Sequence, residues 1–352
     1  MSGPTPADLR WLDSAARLAR PTSGSTGIHP PSAALVVDPR GVLLGRALAT
    51  PEAMPEFAAL EEAGEAAAGA TLYVTLAPES QATIAAGIAR VVVGTVDPAT
   101  ARHEADVEEL EEAGIEVVIA VHAASETLIE AYAMRLRRGR PFVTLRLAVS
   151  RDGMVADRDG RASVVGSEAQ RWIELQRALS DAVMVGARTA EVDDERLDSA
   201  LPGFEERPFT RIVVLGGKTL SPRHFLARSA ATRPTLVLAA SGRGVALPDG
   251  VELMQVSGRS ERPDLRMALV SLGLRGVSAL LVEGGPRLTE AMLSSEMVDR
   301  FYLVESLAEI GRGGLPATAL GTLEGRLRAA GLIEVEALLL GDDRLRTFEA
   351  RA

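Results

Sequence analysis

The feature that most constrains this chain is a series of short, nearly all-apolar runs, each closed within a few residues by glycine, proline or a charged helical stretch. In the C-terminal part they are VTLRLAVS (143–150), DAVMVG (181–186), RIVVLG (211–216), TLVLAAS (235–241), VELMQV (251–256) and ALLVEGG (279–285), with helical patterns between several of them. A strand that is apolar on both sides must be buried on both faces. Such runs alternating with helices therefore predict a largely parallel sheet covered on both sides. The tail, with VDRFYLVESL (298–307), LIEVEALLLG (332–341) and LRTFEAR (345–351), predicts antiparallel strands added at one edge.

The N-terminal part has its own rhythm. A helix over 6–20 leads into a Pro, Gly and Ser loop (21–31), and 33–48 reads as two short strands around the turn Asp38-Pro39-Arg40-Gly41. Helices at about 55–68, 82–88, 105–114 and 125–139 then alternate with strands at 71–77, 90–98 and 115–121. The run LRRGRP (136–141) ends one helix at Gly139 and precedes a new strand, so it is the expected domain boundary. With 352 residues, two domains are expected, 1–138 and 139–352.

Composition excludes several classes of function. The 48 acidic residues outnumber the 38 basic ones, and no basic stretch has aromatics interleaved, which disfavours a nucleic-acid partner. Cysteine is absent, so disulfides, catalytic thiols and thiolate-bound zinc are impossible. Lys218 is the only lysine. No apolar run reaches the length of a membrane span, and MSGPTPADLRW lacks the basic then apolar pattern of a secretion signal, so a cytoplasmic protein with no membrane partner is expected.

In open α/β sheets ligands bind beyond the carboxyl ends of the strands. Two such places carry chemistry. ALLVEGGPRLTEAML ends a strand at Glu283, passes through Gly284 and Gly285, and opens a helix near Pro286; glycines there let backbone N–H groups approach a phosphate at a helix N-terminus. DAVMVGARTAEVDDERL runs from a strand into Gly186, Thr189 and the pair Asp193-Asp194. Alone, the first is more often a tight turn and the second a solvated one. Together they place carboxylates and small residues at the ends of two central strands.

These segments, with GRPFVTLRLAVSRDG (139–153), the stretch from Arg177 to Leu197, and VDRFYL after the glycine turn, resemble the bifunctional riboflavin-biosynthesis deaminase-reductases. The resemblance covers nearly the whole chain. It implies a cytidine deaminase-like αβα domain followed by a dihydrofolate reductase-like α/β domain with a mostly parallel sheet. It also implies NADPH-dependent reduction of the ribosyl group of 5-amino-6-(5-phosphoribosylamino)uracil to ribityl, in a homodimer. Carried residue by residue, it implies cofactor contacts at Ala148, Gly186, Thr189, Asp193, Gly284, Gly285, Pro286, Arg287, Leu288 and Thr289. Substrate contacts fall at Arg146, Arg177, Leu197 and Glu283, with Asp193 and Glu283 as the catalytic carboxylates. Several positions depart from the family: its lysine is Arg146 here, a tryptophan is Val164, a serine is Ala162, a second arginine is Ala200, and a proline is Glu195.

The zinc site of the deaminase half also departs. Met54 stands at the histidine position while Glu56 keeps the proton-shuttling glutamate, Glu79 stands at the first cysteine position, and the segment with the second cysteine is missing before Gln81. Without zinc to activate water no deaminase activity is expected. The four histidines, His29, His103, His122 and His224, are too scattered to suggest another metal site. Two other readings stay open: a reductase of a pterin-like or specialised heterocycle, and an inactive chain that binds a ligand or partner protein.

Overall fold

The computed structural model describes residues 3–351 except 97–99, 158, 160–164, 193–195, 198, 208, 217, 218, 243, 319 and 320; the side chains of 100–104 are also left aside. The chain divides into two compact units, Met1–Gly139 and Arg140–Ala352.

In the first unit the order is α1 (Pro6–Ala19), β1 (Ala33–Val37), β2 (Leu43–Leu48), α2 (Pro55–Ala63), β3 (Thr71–Leu76), α3 (Ser80–Ala85), β4 (Arg90–Thr95), α4 (Thr100–Glu112), β5 (Glu116–Ile119) and α5 (Ala123–Arg138). The five strands form one sheet in the order β2-β1-β3-β4-β5, parallel from β3 to β5 and antiparallel around β1. Leu12, Ala15 and Ala19 of α1 pack on one face with Leu35, Tyr73 and Val92, while Ala59, Leu60 and Leu110 pack on the other with Val74, Val91 and Val93. The unit is therefore an αβα layer. The expected helix over 55–68 is shorter as an α-helix, because Gly64 turns to φ +55 and residues Gly64–Ala67 tighten into a 3₁₀ turn.

Asp8 locks the first helix. Its carboxylate accepts from the Thr5 N–H at 2.8 Å and Thr5 Oγ1 accepts from the Asp8 N–H, a capping box. The same carboxylate takes two guanidinium N–H groups of Arg90 at 2.7 and 3.0 Å and the Tyr73 hydroxyl at 3.0 Å. Burial alone would raise its pKa, but these donors outweigh it and hold the group well below the usual carboxylate range.

The second unit runs β6 (Phe142–Val149), β7 (Met154–Ala156), α6 (Ser167–Ala178), β8 (Ala182–Gly186), α7 (Ala187–Val192), β9 (Thr210–Val214), α8 (Phe225–Arg228), β10 (Thr235–Ala240), β11 (Glu252–Val256), the two-residue strands β12 (Gly258–Arg259) and β13 (Arg262–Pro263), α9 (Leu265–Leu274), β14 (Ala279–Glu283), α10 (Pro286–Ser294), β15 (Arg300–Glu305), β16 (Leu315–Pro316), α11 (Leu323–Ala329), β17 (Leu332–Leu340) and β18 (Asp343–Ala350). Nine strands form one sheet, β11-β10-β9-β8-β14-β6-β15-β18-β17. The pairings from β11 to β15 are all parallel, and the hairpin of β17 and β18 adds the antiparallel edge. The segment 298–307 is the exception to the expected tail: β15 joins the parallel block beside β6, and only its outer neighbour β18 runs against it.

Period-two alternation assigns the faces. Leu145 and Leu147 of β6, Met184 of β8 and Val282 of β14 meet α9 and α10 through Leu269, Leu272, Met292 and Leu293. Val183, Val185 and Leu281 meet α7 and α8 on the other side. Thr144, Arg146 and Ala148 of β6 alternate with the residues of the first face, and Ala148 packs with Trp172 of α6 and Tyr302. A polar residue at Arg146 or Glu283 therefore sits under the helices on the α6 and α7 side.

Candidate functional site

The carboxyl ends of β14, β8 and β6 lie side by side, because Glu283 is paired in register with Val185 on one side and Arg146 on the other. Arg177, in the last turn of α6, reaches the same place from above the sheet. Its Nε and one terminal nitrogen donate to the two oxygens of Glu283, each at 2.7 Å, and a terminal nitrogen of Arg146 donates to Glu283 Oε2 at 2.5 Å. Glu283 is 4% exposed and Arg177 6%, so this two-to-one cluster of cations on one carboxylate is built into the interior. Burial pushes the Glu283 carboxyl up, but the charges of Arg146 and Arg177 outweigh it and hold the group at about 2.

Directly after Glu283 the chain turns through Gly284 and Gly285 into α10. Gly285 is the N-cap residue, and among the described residues no side chain caps this helix end. A side-chain carbon on Gly284 would come within 3.0 Å of Leu288 Cβ and 3.2 Å of the Thr289 nitrogen, so a larger residue there must push the first turn of α10 back by a few tenths of an ångström. A carbon on Gly285 would lie 3.5 Å from Thr189 Oγ1, which places the α7 threonine against the glycine turn. Gly186, at the end of β8, faces open space. The arrangement offers backbone donors, a helix N-terminus and a hydroxyl on one side of a buried cationic cluster. That is a shape and charge suited to a phosphate-bearing ligand.

The remaining candidates are distributed unevenly. Pro286 is half-buried and Arg287 exposed at the start of α10. Leu288 and Thr289 turn inward: Leu288 belongs to the core, Thr289 is fully buried with its hydroxyl donating to the Gly284 carbonyl, and both N–H groups point to the Gly285 carbonyl. Leu197 is 1% exposed in the apolar layer beside α7 and α8, at φ +46, so its side chain is core material. Arg196 lies over the Phe225 ring, 4.7 Å from its centroid. Asp193, like Asp194, Glu195, Ala162 and Val164, lies outside the described residues. Sequence reasoning named Arg146, Arg177 and Glu283 separately but missed their mutual pairing, for which residues 137 and 106 positions apart carry no local signal.

In the first unit, Met54 is the N-cap residue of α2 and Glu56 is 1% exposed in its first turn. The Glu56 carboxylate accepts the backbone N–H of Glu79 at 2.9 Å, and the Ser80 hydroxyl donates to Asp106 at 3.0 Å and to Glu109 at 2.5 Å. Burial, with the charges of Glu79 and Asp106 nearby, pushes the Glu56 carboxyl up. Among the described residues no group of three or more His, Cys, Asp or Glu side chains is placed to hold a metal ion, and no helix is long and apolar enough to cross a membrane. His122 bridges Asp13 of α1 and Ser125 of α5, each at 3.0 Å.

Comparison with known proteins supplies the frame for both sites. The profile of the RibD C-terminal domain matches residues 141–330. The riboflavin biosynthesis protein RibD of Bacillus amyloliquefaciens is 30% identical over 332 residues, covering 90% of this chain and 88% of the relative. That of Escherichia coli K12 is 29% identical over 345 residues, covering 90% and 92%. Among solved structures, a diaminohydroxyphosphoribosylaminopyrimidine deaminase/5-amino-6-(5-phosphoribosylamino)uracil reductase from Thermotoga maritima superposes with a TM-score of 0.86 at 24% identity, over 98% of this chain and 99% of that one. Acinetobacter baumannii RibD, form 1, gives 0.82 at 23% identity, over 98% and 99%. The fold is the mixed α/β fold of these proteins, with a deaminase-like part followed by a dihydrofolate reductase-like part. By its profile match and by relatives aligned over most of its length, this chain belongs to the RibD family of riboflavin biosynthesis proteins.

Proposed function

We propose that the chain is an NADPH-dependent reductase that converts the ribosyl group of 5-amino-6-(5-phosphoribosylamino)uracil to ribityl, and that it has lost the deaminase activity. The observation that carries the reductase reading is the cationic cluster of Arg146, Glu283 and Arg177 set directly before the Gly284-Gly285 turn. NADPH, when bound, supplies the hydride. Gly186, Thr189, Gly284, Gly285 and the start of α10 at Pro286 and Arg287 would hold it, with Ala148, and the family resemblance adds Asp193 as a further cofactor contact. Arg146 and Arg177 orient an anionic substrate, and their packing under α6 excludes water.

Loss of the deaminase rests on donor chemistry. Zinc in a cytidine deaminase-like site needs histidine and thiolate ligands, whereas this chain has no cysteine and presents Met54 and Glu79 at the corresponding places. One Glu56 oxygen, Oε1, accepts the Glu79 N–H. These residues do not fit a zinc ion. The departure at Ala200, exposed with its N–H on Glu174, favours a second reading in which the cofactor is kept and the heterocycle differs. A homodimer is supported by β17, a nine-residue edge strand whose Ile333, Val335 and Leu339 are exposed, since such an edge is a ready partner for a second copy.

The test is titration with NADPH and NADH, followed by thermal stabilisation, because a ligand bound only by the folded state raises its melting temperature. Stabilisation by NADPH and its oxidation on addition of the deaminated pyrimidine are expected. Binding without turnover selects the second reading, and no binding of either nucleotide removes both.

A further inference from the structure

Two loops leave the sheet beyond β6 and β15, and one exposed carboxylate ties them together. β6 pairs with β14 only as far as Arg146, opposite Glu283, whereas its pairing with β15 continues three residues further, to Val149 opposite Glu305. A strand rises about 3.3 Å per residue, so the loop after β15 starts about 10 Å beyond the floor made by Glu283 and the glycine turn. It stands as a rim on that side, next to Ala148, which is paired with Val304 of β15.

The rim is rich in glycine. The run Ile310-Gly311-Arg312-Gly313-Gly314 has left-handed backbone at Gly311 (φ +81) and Gly313 (φ +99), and such a stretch is costly to order. The turn between β6 and β7 orders it. One oxygen of Asp152 accepts the Ile310 N–H at 3.2 Å and the other the Gly311 N–H at 2.8 Å, while the Ser150 hydroxyl donates to the first at 2.6 Å. These donors, Ser150 foremost, hold the Asp152 carboxyl at about 2, so it serves as an acceptor only. The Arg151 N–H donates to the Ala308 carbonyl at 2.8 Å, and a side-chain carbon on Gly314 would fall 2.8 Å from both Met154 Cγ and Ile310 Cγ2, so the loop is folded down on that turn. Both bonds from the loop to Asp152 are exposed, where water could satisfy the same groups; they add little to global stability and act by fixing where the loop lies.

We propose that Asp152 is a positioning residue: it clasps the 306–314 loop as a rim of the cofactor site and so slows departure of the nicotinamide dinucleotide. The proposal rests on the reductase reading and deepens it, because it assigns a retaining wall to a segment with no carboxylate or cation of its own at the floor of the site. Asp152 acts only through the loop.

The experiment uses the full chain as wild type, Asp152→Ala, Asp152→Asn and a neighbouring control, Arg151→Ala, whose side chain is exposed and 4.0 Å from Glu309. Deuterium exchange over residues 312–317, beyond the two N–H groups that Asp152 accepts, reads the loop with no ligand present. Stopped-flow displacement of NADPH reads the site. Loss of a charge-assisted acceptor predicts about 10- to 100-fold faster exchange in Asp152→Ala. NADPH should leave about 10-fold faster, with association within about threefold and a melting temperature close to the wild type. Asp152→Asn keeps one acceptor oxygen and should fall between, and it decides if Asp152→Ala fails to fold; Arg151→Ala should match the wild type. A loop as protected in Asp152→Ala as in the wild type overturns the clasp. A loosened loop with unchanged NADPH release overturns the rim and leaves the reductase reading standing. A wild type that binds no nicotinamide dinucleotide overturns that reading and the proposal with it, an outcome distinguished because the exchange measurement needs no ligand.

Discussion

Replacing Glu283 by glutamine removes one charge and almost no volume, so its effect on stability isolates the electrostatics of the cluster. A glutamate ordinarily titrates near 4.3, whereas here the carboxyl is held at about 2. The downward shift means that the ionised form stabilises the fold, and breaking a buried pair by removing one partner typically costs ~3–5 kcal/mol. Because the folded-state value lies below the unfolded one, the contribution is fully present above pH ~4.3 and is lost as the pH falls toward about 2. Each unit contains one of the two tryptophans, Trp11 in α1 and Trp172 in α6, so a Trp11→Phe background lets urea unfolding of the second unit be followed by Trp172 fluorescence alone. The Glu283→Gln chain should lose about 3 kcal/mol at pH ~7, and the gap should narrow steadily below pH ~4. A loss under about 1 kcal/mol, or a gap that does not change with pH, would refute the ionised, doubly paired carboxylate.

Three other outcomes follow from particular contacts. Asp8→Asn takes the charge from Arg90 and one acceptor from the Thr5 cap, so the first unit should lose about 2–4 kcal/mol in urea unfolding read by Trp11, which stacks on Tyr73. Glu56→Gln should raise the melting temperature near pH 8 and leave it unchanged near pH 4: the folded-state pKa is raised, so the fold disfavours the ionised form and loses stability as pH rises from the unfolded value through the folded one. A glutamine oxygen can still accept the Glu79 N–H, and a lower melting temperature at pH 8 would argue against a strained carboxylate. Gly284→Ala should cost about 1–3 kcal/mol by crowding Leu288, whereas Gly186→Ala meets nothing and should leave stability within about 0.5 kcal/mol while weakening NADPH binding in the same thermal-shift titration.

Much of the architecture is legible in local pattern. ALLVE and DAVMVG read as strands buried on both faces, and β14 and β8 are buried on both sides in the sheet. The stop at Gly139 is equally plain, a left-handed C-terminal residue after three arginines in the last helical turn. What no local pattern carries is which strands become neighbours. VDRFYLVESL looks like an edge strand because its burial alternates, yet β15 has partners on both sides and its polar positions are covered by β18 side chains and α6. The site shows the same division. The glycine turn and its glutamate can be found by spacing, but Arg146 and Arg177 read as two free anion holders, and only the parallel register of β6 with β14 and the packing of the last turn of α6 bring them to the glutamate between them. Leu197, a hydrophobic residue in a left-handed backbone, packs its side chain into the apolar layer beside α7 and α8, a placement no local spacing announces.

The place of β14 between β8 and β6 also sets the order in which the second unit can be built. Before residue 279 is available the strands on one side, β8 to β11, can pair among themselves, while β6 has neither of its final partners, since β15 comes later still. β14 is a keystone inserted between two blocks, and closing those long loops is the slow step in a parallel sheet. Glu283 is the last residue of that keystone, so the pairing with Arg146 and Arg177 forms at the moment the blocks join. A nascent or truncated chain ending before β14 carries both arginines and no carboxylate between them. It has neither a continuous sheet nor a site, and the two are acquired in the same event.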